Sequence, residues 1–523
     1  MKLNIHTLLT AVLLTPLTMC YAANTSSNIL DRQWVAMGST GKLEYKTTAK
    51  GDRIMDFSHA GYMGGGVAIP TVPVKIEVTP TGGDNTAAIQ KAINAVGAMP
   101  LVKGFRGAVL LKPGTFHCAE SITIEKDGVV LRGSGTGNGG TVIQMTGDPH
   151  TAILIKGADN SKGLKNAPQG VPITDAYVPA GALSFSVKST AGLKAGDHIH
   201  ISFKRTGTWI KFMGMDNLVR KRKGKEDSPR TWMQEDRGAS WDRTISNISG
   251  NLITLDVPIT DYINAKLLEN EPAMVVNTHA SAHLTQCGIE SLQINSTPHK
   301  GDLKAGKNVA ISLDGACQDC WVKDIVMNET INDIHCNGGT KRITITRCRA
   351  QHSSTVEGGA GAASDIALRG SQLLVDRCSS KHDASGFFIT EMNPAAQLNV
   401  VLNCKYDGQG SIQPHMKWST GLLIDSCNFL NGGRIDLINR NAMGSGHGWA
   451  IGWGVAWNCQ IGTFQFQQPP GSFNIAIGCS GEPHKSSAPG ALFSHNKPVT
   501  PASLYLAQLR ERLGDAAVKN IGY

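Results

Sequence analysis

Aromatic side chains are scarce in this 523-residue chain, at 6% of residues, and charged ones reach only 17%. Long apolar runs are missing as well. After residue 17 no stretch approaches the ~18 uninterrupted apolar residues that cross a bilayer, so no membrane insertion is expected. Metal-type cysteine spacing is confined to Cys317-x-x-Cys320, which has no second pair, and this argues against zinc or redox chemistry built on cysteine.

What the chain does have is glycine, 59 residues of it, and a net charge of +9. It opens with Lys2, an apolar run from Leu8 to Leu17 and the small-residue stretch Cys20-Tyr21-Ala22-Ala23, so residues 1–22 read as a secretory signal. A basic exported protein of this length is expected to meet an acidic polysaccharide rather than nucleic acid, as a monomer in the periplasm or outside the cell.

Cysteine supplies the organising pattern. Cys287, Cys320, Cys348, Cys378, Cys404, Cys427, Cys459 and Cys479 each close a phrase of alternating apolar residues, such as LLVDRC, NVVLNC and LLIDSC. A constant strand phrase separated by loops of varying length is the mark of a solenoid, and coils of this size suit a parallel β-helix with strands ~4.8 Å apart. The cysteines would form an inward ladder of free thiols, since removal of the leader leaves an odd number.

The flanks follow from local signals. Residues 23–82 form an extended Gly-rich segment. Residues 83–157 open with Asp84 and the amphipathic run Ile89, Ala92, Ile93, Val96, a helix that would cover the first coils. GSGTGNGG (133–140) precedes a strand-like TVIQM and reads as a turn, not a nucleotide loop. Residues 158–275 break the repeat and read as a β-rich insertion carrying the basic run Arg220–Lys225. The main solenoid then occupies 276–495, and 496–523 holds a closing helix with Thr500 as N-cap, Leu506, Leu509 and Leu513 on its apolar face and Gly514 as its stop.

The run GGDNTAAIQKAINAV, followed by GAVLLKPGTFHC and GVVLRGSG, resembles the N-terminal entry of the pectate-lyase-like superfamily. That resemblance implies an all-β fold, a right-handed parallel β-helix, and an activity on polysaccharide.

Three coils carry the candidate site. Thirteen residues beyond Cys378, Cys404 and Cys427 stand Glu391, Lys417 and Arg440. A period of two puts Phe388, Thr390, Ile412, Met416, Ile435 and Leu437 in the core. It puts Phe387, Ile389 and Glu391 on a polar wall with Gln413, His415, Lys417, Arg434, Asp436 and Arg440.

β-Elimination of a uronate polymer needs a positive partner for the carboxylate, a base and an acid. Lys417 is the candidate base beside Arg440 as acid or charge stabiliser, His447 is the alternative base, and His415 adjoins them. Trp418, Trp449, Arg434, Asp436, His382 and Asp383 are candidate substrate contacts. The Glu, Lys, Arg series is similar to the calcium-assisted β-helix lyases of alginate and dermatan sulfate, and that likeness implies a Ca²⁺ held by Glu391 with Asn393. An inverting glycoside hydrolase using two of Asp436, Asp383 and Glu391, ~6.5–9.5 Å apart, is the alternative, and a non-catalytic carbohydrate-binding solenoid the third reading.

Overall fold

The computed structural model describes residues 29–159, 170–222, 225–233, 239–278, 283–297, 308–353, 364–382 and 386–523, so the leader expected over 1–22 lies outside it. Within it, 28 strands join in one continuous parallel ladder, the right-handed parallel β-helix that the cysteine phrases announce.

The regularity originates in the backbone. In seven successive coils two residues of left-handed conformation stand five positions apart along the middle strand: Gln286 and Ser291, Asp319 and Asp324, Arg342 and Arg347, Gln372 and Arg377, Leu398 and Asn403, Gly421 and Ser426, Trp453 and Asn458. Their φ values run from 49° to 72°. Six of the seven first positions and all the second ones carry a Cβ, at a cost of about 1–2 kcal/mol each. A bond to the next coil offsets this at the second corner. Arg347, Arg377, Asn403, Ser426 and Asn458 donate their N–H groups to Asp376, Leu402, Asp425, Trp457 and Ile477 at 2.8–3.0 Å.

The residue after that corner turns inward. Because Arg349 pairs with Ser379, Ser379 with Lys405, Lys405 with Asn428, Asn428 with Gln460 and Gln460 with Ser480, Cys348, Cys378, Cys404, Cys427, Cys459 and Cys479 stack on successive rungs. All are buried and none is in a disulfide. Cys287 and Cys320 leave this ladder. They follow the first corner instead, directly after Gln286 and Asp319, and their coils fill the ladder rung with Leu292 and Ile325.

The insertion is spliced out without interrupting the stack. Strand Gly288–Asn295 pairs with Val129–Arg132 and Thr141–Met145 on one side and with Trp321–Asn328 on the other. The excursion forms its own six-stranded sheet, whose strand Met274–Asn277 runs two residues past the expected boundary. Phe185, Ile199, Ile201, Trp241 and Ile253 fill a separate core.

Helix Thr86–Gly97 buries Ile89, Ala92, Ile93 and Val96 against the interior, with Asp84 accepting from the Thr86 N–H. The C-terminal helix differs from expectation. It spans Leu504–Leu513, is capped by Ser503 rather than Thr500, and ends at Gly514. It does not close the solenoid's end: it lies along a flank with the N-terminal segment, over Leu374, Leu398, Val400, Leu423 and Val455. Leu513 is exposed, because the buried face is set by Tyr505 bonding Ala60 and Gln508 bonding Met55 and Phe57. This cover explains why the middle strands are apolar on both faces.

Burial pushes the thiols of Cys378, Cys404 and Cys427 well above the ordinary range. We expect the eleven cysteines from Cys118 to Cys479 to resist a thiol reagent in the folded chain and all to react in denaturant. Fast labelling of the native chain would show that the ladder is not sealed.

Candidate functional site

The polar wall sits on the outer face of three successive strands, Phe387–Glu391, Ser411–Ile412 and Arg434–Leu437, and on the loop that follows the last. Ile412 pairs with Ile435 inside, so Gln413 and Asp436 share a rung outside. Gln413 donates to Asp436 Oδ2 at 2.8 Å and accepts from Arg440 Nη1. Arg440 Nε donates to His447 Nδ1 at 3.2 Å, and the His447 ring lies 4.7 Å from that of His415. Arg434 stands 3.8 Å from Asp436. Lys417 is close enough for its charge to depress His447. The structure thus brings together Gln413, His415, Lys417, Arg434, Asp436, Arg440 and His447.

Glu391 is not among them. A β-bulge intervenes, with Phe387 opposite Ser411 but Ile389 opposite Ile412, and the extra residue Phe388 turns inward to stack on Tyr406 at 4.8 Å. Beyond it the two faces exchange. Ile389 enters the core, and Glu391 continues the inward column Ile155, Leu313, Cys336, Leu368. It is 1% exposed, bonded through Oε1 to Asn399 at 2.8 Å, and burial raises its carboxyl to about 7.

Asn393 spends its side-chain oxygen on the Ala395 N–H. An inward carboxyl whose charge burial opposes and a committed amide do not fit a Ca²⁺ ion, which takes six to eight oxygen ligands. The inward turn also parts Glu391 from Asp436, so these two cannot form the carboxylate pair of a hydrolase. Asp383 lies outside the described residues, and of His382 only the strand-end backbone, paired with His352, is placed.

Trp418 is not a sugar platform. It is fully buried, its ring edge-on to Trp209 and Trp232 of the insertion at 5.8 and 5.9 Å, its Nε1 bonded to Asp261 at 2.6 Å. Trp449 is half-buried and bonds the Met213 carbonyl. Both tryptophans belong to the seam where the insertion grips the loop 438–449. Across that seam Trp232 bonds the His447 carbonyl at 2.7 Å, and Arg220, first residue of the basic run, bonds the Gly444 carbonyl at 2.9 Å. Gly448 has a positive φ, and a Cβ there would collide with the Trp232 ring. Trp453 and Trp457 are core.

Electrostatics divide the cluster. Burial, then the charges of Arg440 and His447, bring His415 down to about 3; burial, then Arg440 and Lys417, bring His447 to about 4. Both imidazoles are therefore neutral at neutral pH. With Nδ1 accepting from Arg440, His447 carries its proton on Nε2, which faces Gly444. His415 makes no hydrogen bond through its ring to any described residue. Burial lifts the Asp436 carboxyl against the pull of Arg434 and Gln413. Arg369, two coils back, also bears on His415 and bonds Asn337 at 3.0 Å, so the wall extends toward it. The count of thirteen residues from Cys348 falls at position 361 and so passes Arg369 by.

No family model matches the chain, and no curated protein matches it. Among solved structures it is similar to the tailspike protein gp49 of Pseudomonas phage LKA1, at 13% identity over 78% of this chain and 70% of that one, with a TM-score of 0.36. It is also similar to the mannuronan C-5 epimerase A-module of Azotobacter vinelandii, at 12% identity over 80% and 91%, TM-score 0.33. A polygalacturonase from Erwinia carotovora gives 12% over 80% and 96%, TM-score 0.35. None reaches a TM-score of 0.5, and the site is read from its own geometry.

Trp232→Ala tests the seam. Removing this fully buried ring should cost about 3–5 kcal/mol in denaturant unfolding and make the loop 438–449 the first site of proteolysis. An unchanged midpoint and cleavage pattern would mean the insertion does not hold the loop.

Proposed function

We propose that the protein is an exported enzyme that cleaves an acidic, uronate-containing polysaccharide by β-elimination on this wall. The observation that carries the reading is a fixed guanidinium beside a neutral imidazole: Arg440, clamped by Gln413 and His447, next to His415. Elimination asks for that pairing. A positive group must neutralise the carboxylate so that the neighbouring C–H can ionise, and an unprotonated base must take the proton. Arg440 with Arg434 meets the carboxylate; His415 takes the proton. The C–O bond on the next carbon breaks, an unsaturated uronate remains, and the departing sugar oxygen gains a proton from the cationic side of the cluster, where Lys417 stands.

His447 cannot serve as base while its accepting nitrogen is bonded to Arg440, so its part is to orient the guanidinium. Calcium has no role in this scheme. A carboxylate pair for hydrolysis would need a second acid near Asp436, and Glu391 faces the other way.

The test is a screen of acidic polysaccharides read by the ultraviolet absorbance of unsaturated uronates. We expect absorbance to rise equally with and without chelator. His415→Ala should lower turnover by about 10²–10⁴, and Arg440→Lys should raise KM and lower kcat through loss of the planar fork. Because His415 must be unprotonated, kcat/KM should hold steady from neutral pH downward and fall only as pH drops through about 4 to 3. Reducing ends released without absorbance would mean hydrolysis, and binding with no product from any polymer would mean a recognition solenoid.

A further inference from the structure

Away from the wall, three donor side chains converge inside the coils. Asn332 pairs with Ser364 and Ile334 with Ile366, so Asp333 and Asp365 occupy the same rung of successive coils. Both are fully buried. His352, at the end of strand Arg349–His352, brings Nε2 to 3.1 Å from Asp333 Oδ2 and 3.3 Å from Asp365 Oδ1. One ligand atom from each residue lies within 4.8 Å of the others. The Thr330 hydroxyl donates to the other oxygen of Asp333 and fixes the rotation of that carboxylate, as outer partners do around metal ligands.

Charge and geometry agree on what belongs there. Two carboxylates facing one another across one rung, ~4.8 Å, out of reach of water, repel strongly unless something positive lies between them. A divalent cation beside a neutral imidazole cancels both charges. A tetrahedral site with bonds of about 2.0–2.1 Å has ligand-to-ligand edges of about 3.3–3.4 Å, close to the separations around His352. The imidazole nitrogen selects a zinc-class ion over Ca²⁺ or Mg²⁺, which favour oxygen alone.

We propose that Asp333, His352 and Asp365 form a buried binding site for a zinc-class divalent cation that ties consecutive coils together. Binding would take the Nε2 lone pair of a neutral His352 and one oxygen from each carboxylate.

The test uses the whole chain, purified without an affinity metal. Elemental analysis should find about one zinc per chain, and calorimetric titration of the chelator-treated protein with Zn²⁺ at neutral pH should show one site per chain. Zn²⁺ should raise Tm, and Ca²⁺ should not. His352→Gln and Asp365→Asn should each abolish the Zn²⁺ response. If either variant fails to fold, the zinc content and Zn²⁺ titration of the unaltered chain decide alone. Absence of zinc together with no thermal or calorimetric response would overturn the proposal in favour of a plain ion triad. So would a response that survives His352→Gln.

Discussion

Seven successive coils hang on pairs of left-handed residues five positions apart. Neither corner would persist in an isolated coil, because a side-chain-bearing residue in that conformation is strained and its N–H would face solvent or nothing. Stacking converts the strain into structure: the N–H at the second corner reaches the coil above, so every corner is stabilised by its neighbour and the array is cooperative along its axis. The fixed span also explains why one side of the solenoid repeats so closely while the others vary in length. The next residue points inward, and from Cys348 onward a small apolar thiol fills that rung.

The site arises where this regularity is broken. One extra residue, Phe388, diverts the strand, carries Glu391 to the inside and leaves the outer face to Gln413, Asp436 and the arginines. Tertiary cover then sets its chemistry. The insertion presses on the loop 438–449, which half-buries Arg440 and buries His447, and burial beside fixed positive charge keeps both imidazoles neutral at a pH where a free histidine would be partly charged.

The fold was legible because its signal is local and repeated: an αL corner followed by cysteine recurs in one short phrase. Counting thirteen residues from each cysteine worked for Lys417 and Arg440, whose coils reach Ile412 and Ile435 after the same eight residues, and failed for Glu391, whose coil needs eleven to reach Ile389. A period of two cannot reveal a bulge, since the bulged residue is itself apolar. Trp418 and Trp449 misled for a different reason. Their partners, Trp209, Trp232 and Met213, stand about two hundred residues away in sequence, and exposure decided by such a contact leaves no mark on the phrase around it. Cys287 and Cys320 deceived in the same phrase-bound way, since a cysteine fits after either corner.

The splice at the insertion has a consequence for assembly. Strand Thr151–Lys156 finds its next neighbour only at Val309–Asp314, so a chain that emerges from its N-terminus holds a finished first stack with an unpaired edge while the whole excursion is still arriving. An open parallel edge is the surface on which chains join wrongly. Because the excursion closes its own antiparallel sheet with mostly nearer partners, it can collapse first and draw Asn277 back toward the stack, which shortens the loop that the waiting edge must close. The insertion thereby acts on the order of folding as well as on the finished wall, and a slow step in its formation would appear as aggregation of the half-built stack.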